Sequence, residues 1–157
     1  MRVFIYEYIC GGGLAGQPLP VSLAREGWAM LASIVEDFAR VEGCEVTATL
    51  DARLQGRPLA AHRTERFAAC DERDAIRRLA AECDWTLVIA PEFDNILLER
   101  VGWVEQAGGR LLGPSSVAVA VTADKFVCGK VLEQAGVPTV VGEIVRPGEG
   151  QPRPLGV

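Results

Sequence analysis

The sequence has 157 residues, of which 49% are hydrophobic and 24% charged, which excludes a disordered chain and fits one soluble globular domain with a real core. The formal net charge is -5 and acidic and basic residues are interleaved, so the chain has no basic stripe for nucleic acid or for an anionic membrane surface. Small-molecule partners are expected instead.

The chain contains five scattered cysteines, at positions 10, 44, 70, 83 and 128. They form no CxxC pair, and His62 is the only histidine, which argues against a zinc site and favours a reducing cytoplasm. The apolar run over residues 3–10 is broken by Glu7, and no segment approaches the ~18 apolar residues of a membrane span. Neither a secretory signal nor a membrane helix is therefore predicted.

The first predicted element is a strand over residues 3–9, rich in β-branched and aromatic residues, which runs into Gly11, Gly12 and Gly13. Ser22 is the predicted N-cap of a long helix that reaches residue 41, because apolar residues then recur at spacings of three and four. Residues 46–50 form the second predicted strand, and the strand-helix-strand order indicates parallel pairing with right-handed crossovers.

The polar region 51–72 contains one short predicted strand, at 64–67. Beyond it the sequence predicts a helix at 74–83, a buried strand at 86–90, and a helix at 94–106 with Asp94 as its N-cap. This alternation predicts an α/β fold with a three-layer, doubly wound, mainly parallel sheet, in which strands 3–9, 46–50 and 86–90 are central. Ligands of such sheets gather at the carboxyl ends of the strands.

Gly11, Gly13 and Gly16 formally satisfy the dinucleotide motif G-x-G-x-x-G. The spacing argues against a dinucleotide site, because two prolines delay the next helix and Asp51 lies well beyond the expected spacing of ~20 residues to a ribose carboxylate. A Rossmann-like nucleotide or metabolite binding module without chemistry stays open as an alternative.

Within residues 111–141, the sequence predicts the end of a short apolar strand, the turn Gly-Pro-Ser-Ser at 113–116, a short helix at 117–121 and a second helix. Thr122 is a predicted N-cap of that second helix, and Gly136 ends it. Val127, Val131 and Ala135 of this helix recur every four residues, and they are predicted to form a buried stripe.

Lys125 is unusual, because a cation in the first turn of a helix faces the positive end of the macrodipole and costs about 0.3 to 1 kcal/mol. A bound phosphate would reverse the sign of this effect. From physics alone, a solvated lysine tolerated at small cost is favoured over a phosphate ligand.

The turn at 113–116, the short helix, the pair Asp124-Lys125 and the helix ending Gln-Ala-Gly-Val-Pro at 134–138 together resemble the start of an ATP-grasp domain. The resemblance to ATP-grasp ligases implies that Lys125 reaches the phosphates of ATP. It also implies a pre-ATP-grasp domain over 1–121 and the beginning of a truncated ATP-grasp domain over 122–157. ATP and Mg²⁺ are the implied cofactors, with the metal ligands outside this chain.

The same resemblance implies a substrate pocket formed by Gly11, Gly12, Gly13, Ser22 and Glu92. The glycine turn and Glu92 are accordingly expected to face one crevice, within ~15 Å, since small-molecule sites are compact clefts. Within the superfamily, the segments VFIYEYICGGG and SLAREGWAMLASIVEDF look most similar to the tyramine-glutamate ligases of methanofuran synthesis.

The implied reaction is phosphorylation of a carboxylate by ATP, followed by attack of an amine on the acyl phosphate to form an amide. The implied partners are a small-molecule carboxylate and an amine, and neither nucleic acid nor a membrane is expected. A homodimer is compatible with such a ligase. The catalytic elements that normally follow the lysine helix have no counterpart here, so the chain is expected to be the inactive amino-terminal part of a cytoplasmic ligase.

Overall fold

The computed structural model describes residues 1–67, 72–140, 142–146 and 148. Contacts between Cα atoms divide the chain into two compact units, Met1–Ser116 and Val117–Val157. No helix in the described part of the chain is long and apolar enough to cross a membrane.

The first unit is an α/β fold, which confirms the predicted class. Its elements in chain order are β1 (Arg2–Glu7), α1 (Val21–Ala39), β2 (Glu45–Asp51), β3 (Arg63–Phe67), α2 (Glu72–Glu82), β4 (Trp85–Ile89), a short 3-10 helix (Phe93–Asn95) and α3 (Ile96–Gln106). All four strands are parallel, in the order β3-β2-β1-β4. The predicted strands are therefore real and parallel, with β1 and β2 interior. β4 lies at one end of this strand order, and an isolated parallel bridge joins its Thr86 to Leu111.

Alternate side chains of β1 enter two separate hydrophobic clusters, which makes the fold three-layered. Val3 and Ile5 pack with Leu31 and Val35 of α1. Phe4 and Tyr6 pack with α2 and α3. Because a strand buried on both faces reads as a continuous apolar run, this arrangement explains why β1 is recognisable from sequence.

The strand register brings the carboxyl ends of neighbouring strands together. Glu7 at the end of β1 pairs with Ile89 at the end of β4, and Asp51 at the end of β2 pairs with Phe67 at the end of β3. The loops after β1, β2 and β4 therefore leave the same edge of the sheet, which is where ligands of doubly wound sheets bind.

Two predicted helix caps of the first unit are wrong. Pro20 is the N-cap of α1, and Ser22 lies inside the helix, since the fixed φ of proline suits a helix start without a side-chain cap. Asp94 lies inside the 3-10 helix with φ of 53°, followed by Asn95 with φ of 58° as the N-cap of α3. Asp and Asn tolerate this left-handed conformation better than most residues, so two polar residues here mark a tight turn.

The second unit contains α4 (Ser116–Ala123, whose first residue belongs to the first unit) and α5 (Lys125–Gln134). The N-cap of α5 is Asp124, whose Oδ1 accepts hydrogen bonds from the amides of Phe126 (2.9 Å) and Val127 (3.0 Å). The prediction for Thr122 is wrong, because its hydroxyl donates to the Ala118 carbonyl within α4.

The predicted burial of the α5 stripe is also wrong. Val127 and Val131 are 42% and 45% exposed, and Ala135 is exposed as well. A spacing of four shows that residues share one face of a helix, but another element must cover that face before they are buried. The predicted helix end is correct, since Gly136 adopts φ of 73° just beyond α5.

Candidate functional site

A cleft of about 600 Å³ opens at the carboxyl edge of the sheet, where β1, β4 and α1 meet. Its walls come from the end of β1 and the glycine loop, from α1, and from the segment after β4. The lining residues are Glu7, Tyr8, Ile9, Leu14, Gln17, Leu23, Glu26, Gly27, Met30, Ile89, Ala90, Pro91, Phe93, Asp94 and Ile96. This is the position at which a doubly wound sheet binds its ligand.

Glu7 is the most buried charged group of this cleft, at 1% exposure. Its Oε1 accepts a hydrogen bond from the Ile9 amide (3.0 Å) and its Oε2 accepts one from the Cys10 amide (2.7 Å). Burial raises the pKa of the Glu7 carboxyl, and these two backbone hydrogen bonds act in the opposite direction. A carboxyl group with a raised pKa at a strand end and in a cleft is typical of a functional position.

Gly27 allows α1 to approach the Glu7 carboxylate. A Cβ at this position would lie 2.7 Å from Oε2 of Glu7 and 3.0 Å from its Oε1. Glycine is unfavourable inside a helix, so its presence here is explained by the close approach. The backbone of α1 at Gly27 therefore packs directly against the Glu7 carboxylate and contributes to its burial.

The glycine turn packs against the strand ends. A Cβ on Gly11 would lie 2.3 Å from the Glu7 carbonyl oxygen, and one on Gly13 would lie 2.2 Å from the ring of Tyr8. Gly12 has φ of 110° and sits against the Phe67 ring. Contact with the strands thus accounts for all three glycines, and none of them lines the cleft.

Asp51 and Arg53 hold the loop that carries Leu14 and Gln17 into the cleft. Arg53 binds the buried Asp51 carboxylate through Nη2 (2.6 Å to Oδ2) and Nε (2.9 Å to Oδ1). The same guanidinium donates to the carbonyls of Gln17 (2.6 Å) and Leu14 (2.8 Å). The hydrogen bond from Arg53 lowers the pKa of Asp51, so the carboxylate is charged when it holds this clamp.

Replacing Arg53 by alanine is expected to loosen residues 14–17, because two loop carbonyls lose their guanidinium partner and the buried Asp51 carboxylate loses its countercharge. Amide hydrogen exchange of Ala15 and Gln17 should accelerate by about tenfold relative to the wild type. Arg40→Ala removes an exposed arginine at the C-cap of α1 that pairs with Glu36, and it is the matched control. Equal exchange in the two variants would contradict the clamp.

The other predicted substrate residues lie near the cleft without lining it. Glu92 and Ser22 are exposed, whereas their neighbours Pro91, Phe93 and Leu23 line the cleft. The structure therefore brings the glycine-loop segment and the segment after β4 to one cleft. Roles of Gly11 to Gly13, Ser22 and Glu92 in substrate binding stay predictions.

Sequence reasoning missed Glu7 and Gly27. A usable signal was present, because Glu7 is the single charged residue of the predicted strand 3–9 and lies four positions before Gly11. Cys10, which also borders that turn, is not a nucleophile candidate. Burial raises its pKa to about 12, and its thiol donates to the Ala24 carbonyl.

Lys125 lies in the second unit, where it is exposed at the first position of α5. It lines a separate cleft of about 880 Å³ between α5 and the segment that follows it. Lys130 in the same cleft pairs with Glu133 at 2.8 Å. Among the residues that the structure describes, no group of three or more His, Cys, Asp or Glu side chains could hold a metal ion.

Comparisons with known proteins agree with this architecture. Residues 44–119 match the family model of the pre ATP-grasp 3 domain. The crystal structure of the biotin carboxylase subunit of pyruvate carboxylase has a similar fold, with a TM-score of 0.57 and 18% identity over 90% of this chain. The chain spans 29% of the length of that protein. No curated protein matches.

The match to the pre ATP-grasp 3 domain agrees with the sequence resemblance, and the similarity to the biotin carboxylase subunit agrees with the predicted α/β fold. The assignment to tyramine-glutamate ligases stays a prediction.

Proposed function

We propose that this chain is the amino-terminal part of an ATP-dependent carboxylate-amine ligase, and that the cleft beside Glu7 binds one of the two substrates. The observation that carries the proposal is the match of residues 44–119 to the pre ATP-grasp 3 domain. The cleft supports it, because it lies at the edge of the sheet where such folds bind small molecules.

The proposed reaction activates a carboxylate with ATP and joins it to an amine through an acyl phosphate. Lys125 is the proposed phosphate contact of this chain. Asp124 already accepts the amide hydrogens of Phe126 and Val127, so the first turn of α5 has fewer donors left for an anion. The lysine ammonium would therefore supply most of the phosphate interaction here, and no step through Mg²⁺ is derived from the described residues.

The 157-residue chain alone is expected neither to hydrolyse ATP nor to bind it tightly. One charge-assisted contact contributes about 1.5 to 3 kcal/mol, far below the ~8 kcal/mol that micromolar binding requires. Isothermal titration calorimetry with ATP and magnesium should give millimolar or undetectable affinity. Micromolar binding would show that the nucleotide site is complete within these residues and would contradict the assignment carried over from the ATP-grasp family.

The ligase activity is tested in a protein that joins this chain to a downstream ATP-grasp domain, if the reading frame continues into one. ADP release should then depend on both a carboxylate and an amine, and Lys125→Ala should reduce it by about two orders of magnitude, as loss of a transition-state charge contact does. Lys130→Ala is the matched control, since its ammonium is paired with Glu133. Equal losses in both variants would contradict a specific role for Lys125.

The second candidate is a binding module without chemistry. The observation that favours it is that the cleft beside Glu7 is lined entirely by residues of the first unit. Ligand binding with no ATP-dependent turnover in any longer form of the protein would support this alternative. A cytoplasmic location and a homodimer complete the proposal, and sedimentation velocity tests the latter.

A further inference from the structure

The turn between β4 and α3 contains the only described residues other than glycine that have a positive φ. Asp94 has φ of 53° and ψ of 26°, and Asn95 has φ of 58° and ψ of 16°. Asp and Asn can offset the cost of this left-handed conformation with a local side-chain hydrogen bond. Here neither side chain forms a hydrogen bond or an ion pair with another described residue. The backbone strain of the turn is therefore not compensated by its own side chains.

The two ends of this turn are joined to each other. The Leu97 amide donates to the Pro91 carbonyl at 2.9 Å. Between these ends the Ile96 amide donates to the Phe93 carbonyl, in a 3-10 turn whose hydrogen-bond geometry is poorer than that of an α-helix. Residues 92–96 can therefore rearrange while β4 and the body of α3 stay in place.

Phe93 is the side chain that this turn presents at the mouth of the cleft beside Glu7. It lines the cleft and is nevertheless 66% exposed. Leu23 and Met30 on the α1 wall of the same cleft are 41% and 47% exposed. Contact of the Phe93 ring with these two side chains would remove apolar surface of all three from water, which is favourable.

We propose that residues 92–96 form a lid with an open and a closed conformation. The structure shows the open one. In the closed one, Asn95 leaves the left-handed conformation and the Phe93 ring packs on Leu23 and Met30 across the cleft. Relief of backbone strain and burial of apolar surface favour closure, and loss of the hydrogen bond between Ile96 and Phe93 opposes it.

A closed lid would shield the cleft from water and retain a bound molecule, as loops over active sites do. This consequence rests on the proposed function, in which the cleft holds a substrate. The movement itself needs no ligand, because both forces that favour closure lie within the chain.

Met30 makes the movement measurable, because the chain contains only two methionines, Met1 and Met30. In the 157-residue chain labelled with carbon-13 at the methionine methyl groups, each methionine gives one signal. A methyl group above the face of an aromatic ring resonates upfield, so closure moves the Met30 signal upfield. Loop motions are fast, and the signal therefore lies at the average of the two conformations weighted by their populations. Met1, at the start of the chain, is the internal control.

Substitutions at Asn95 change only the backbone preference, since its side chain makes no capping hydrogen bond. Asn95→Gly should hold the lid open, because glycine adopts a positive φ without steric cost. Asn95→Ala should favour the closed lid, because alanine is disfavoured at positive φ. The ratio of closed to open forms should differ by about tenfold between the two variants, the usual effect of a Cβ in the left-handed conformation. The Met30 signal should accordingly lie further upfield in Asn95→Ala, and the Met1 signal should not move.

Phe93→Leu, added to each Asn95 variant, keeps an apolar side chain and removes the ring. It should abolish the difference in the Met30 signal. The same Met30 position in Asn95→Ala and Asn95→Gly, or a difference that persists without the ring, would overturn the lid. If Asn95→Ala does not fold, the wild type takes its place, and a Met30 signal that Asn95→Gly leaves unmoved would overturn the lid equally.

The lid and the ligase activity can fail independently. The methyl spectra are recorded without ATP or substrate, so a lid that does not close would leave ligation to be judged by ADP release. A lid that closes over the cleft in a protein without ATP-dependent turnover would instead fit the binding module.

Discussion

Replacing Arg100 by alanine is expected to lower the free energy of unfolding by about 3 kcal/mol, because it leaves the Glu72 carboxylate partly buried without its countercharge. The Arg100 side chain is 8% exposed and that of Glu72 is 19% exposed. Two parallel hydrogen bonds join them, from Nε to Oε1 at 3.0 Å and from Nη2 to Oε2 at 2.8 Å. This bidentate geometry is the strongest form of such a pair.

The surroundings of the pair raise the expected cost. The Tyr6 hydroxyl also donates to Glu72, and the pKa of that hydroxyl is raised by burial and by the neighbouring Glu72 carboxylate, so it stays a donor. The Arg100 guanidinium stacks 4.8 Å from the centre of the Tyr8 ring and 4.9 Å from that of Trp103. Alanine would therefore remove cation-π contacts and aliphatic packing together with the charge.

Arg78→Ala is the matched control for Arg100→Ala. Arg78 binds Glu65 and Glu82 on the surface, with a side chain 46% exposed, so its loss should cost less than about 1 kcal/mol. Urea unfolding of both variants measures the difference. Similar midpoints for the two would show that the Arg100 cluster contributes no more than a surface pair.

The cluster around Arg100 links the core to the candidate site. Tyr6 and Tyr8 flank Glu7, the last residue of β1, and Arg100 belongs to α3, which follows the segment that lines the cleft after β4. A loss of this cluster should consequently disturb the cleft as well as the stability. Tyr8, which lines the cleft, is thus held in part by Arg100, which does not line it.

Much of this fold could be predicted from sequence because the informative patterns are local. The apolar run of β1 is buried on both faces, and its abrupt end at the glycine turn marks the carboxyl edge of the sheet. The predictions that were wrong concerned features that depend on tertiary context. The Val127 and Val131 stripe has the right spacing but no cover within the described residues, and Asp94 resembles an N-cap but adopts a left-handed turn conformation.

The candidate site was predictable only in its location. The glycine turn predicted a ligand at the end of β1, but the glycines themselves are needed for packing against Glu7, Tyr8 and Phe67. One wall of the cleft, α1, lies close to the Glu7 carboxylate because Gly27, twenty positions after Glu7 in the sequence, has no Cβ. No pattern along the chain encodes that contact.

Replacing Gly11 by alanine is expected to destabilise the protein by about 3 kcal/mol, at the upper end of the cost of overpacking. The new Cβ would lie 2.3 Å from the Glu7 carbonyl oxygen and 2.9 Å from Oγ1 of the buried Thr49. The first of these is a backbone atom that accepts the Gly11 amide hydrogen at 2.6 Å, so it cannot move aside without opening the turn. The Ile9 and Cys10 amides that hold the Glu7 carboxylate belong to the same turn.

Gly102→Ala separates this steric effect from a general effect of replacing glycine. Gly102 lies within α3, and the nearest atom to its added Cβ is Nε2 of Gln106 at 4.0 Å, so alanine should stabilise the helix by about 0.5 to 1 kcal/mol. Urea unfolding should shift the midpoints of the two variants in opposite directions relative to the wild type. A Gly11→Ala protein with wild-type stability would show that the turn can rearrange freely around the added Cβ.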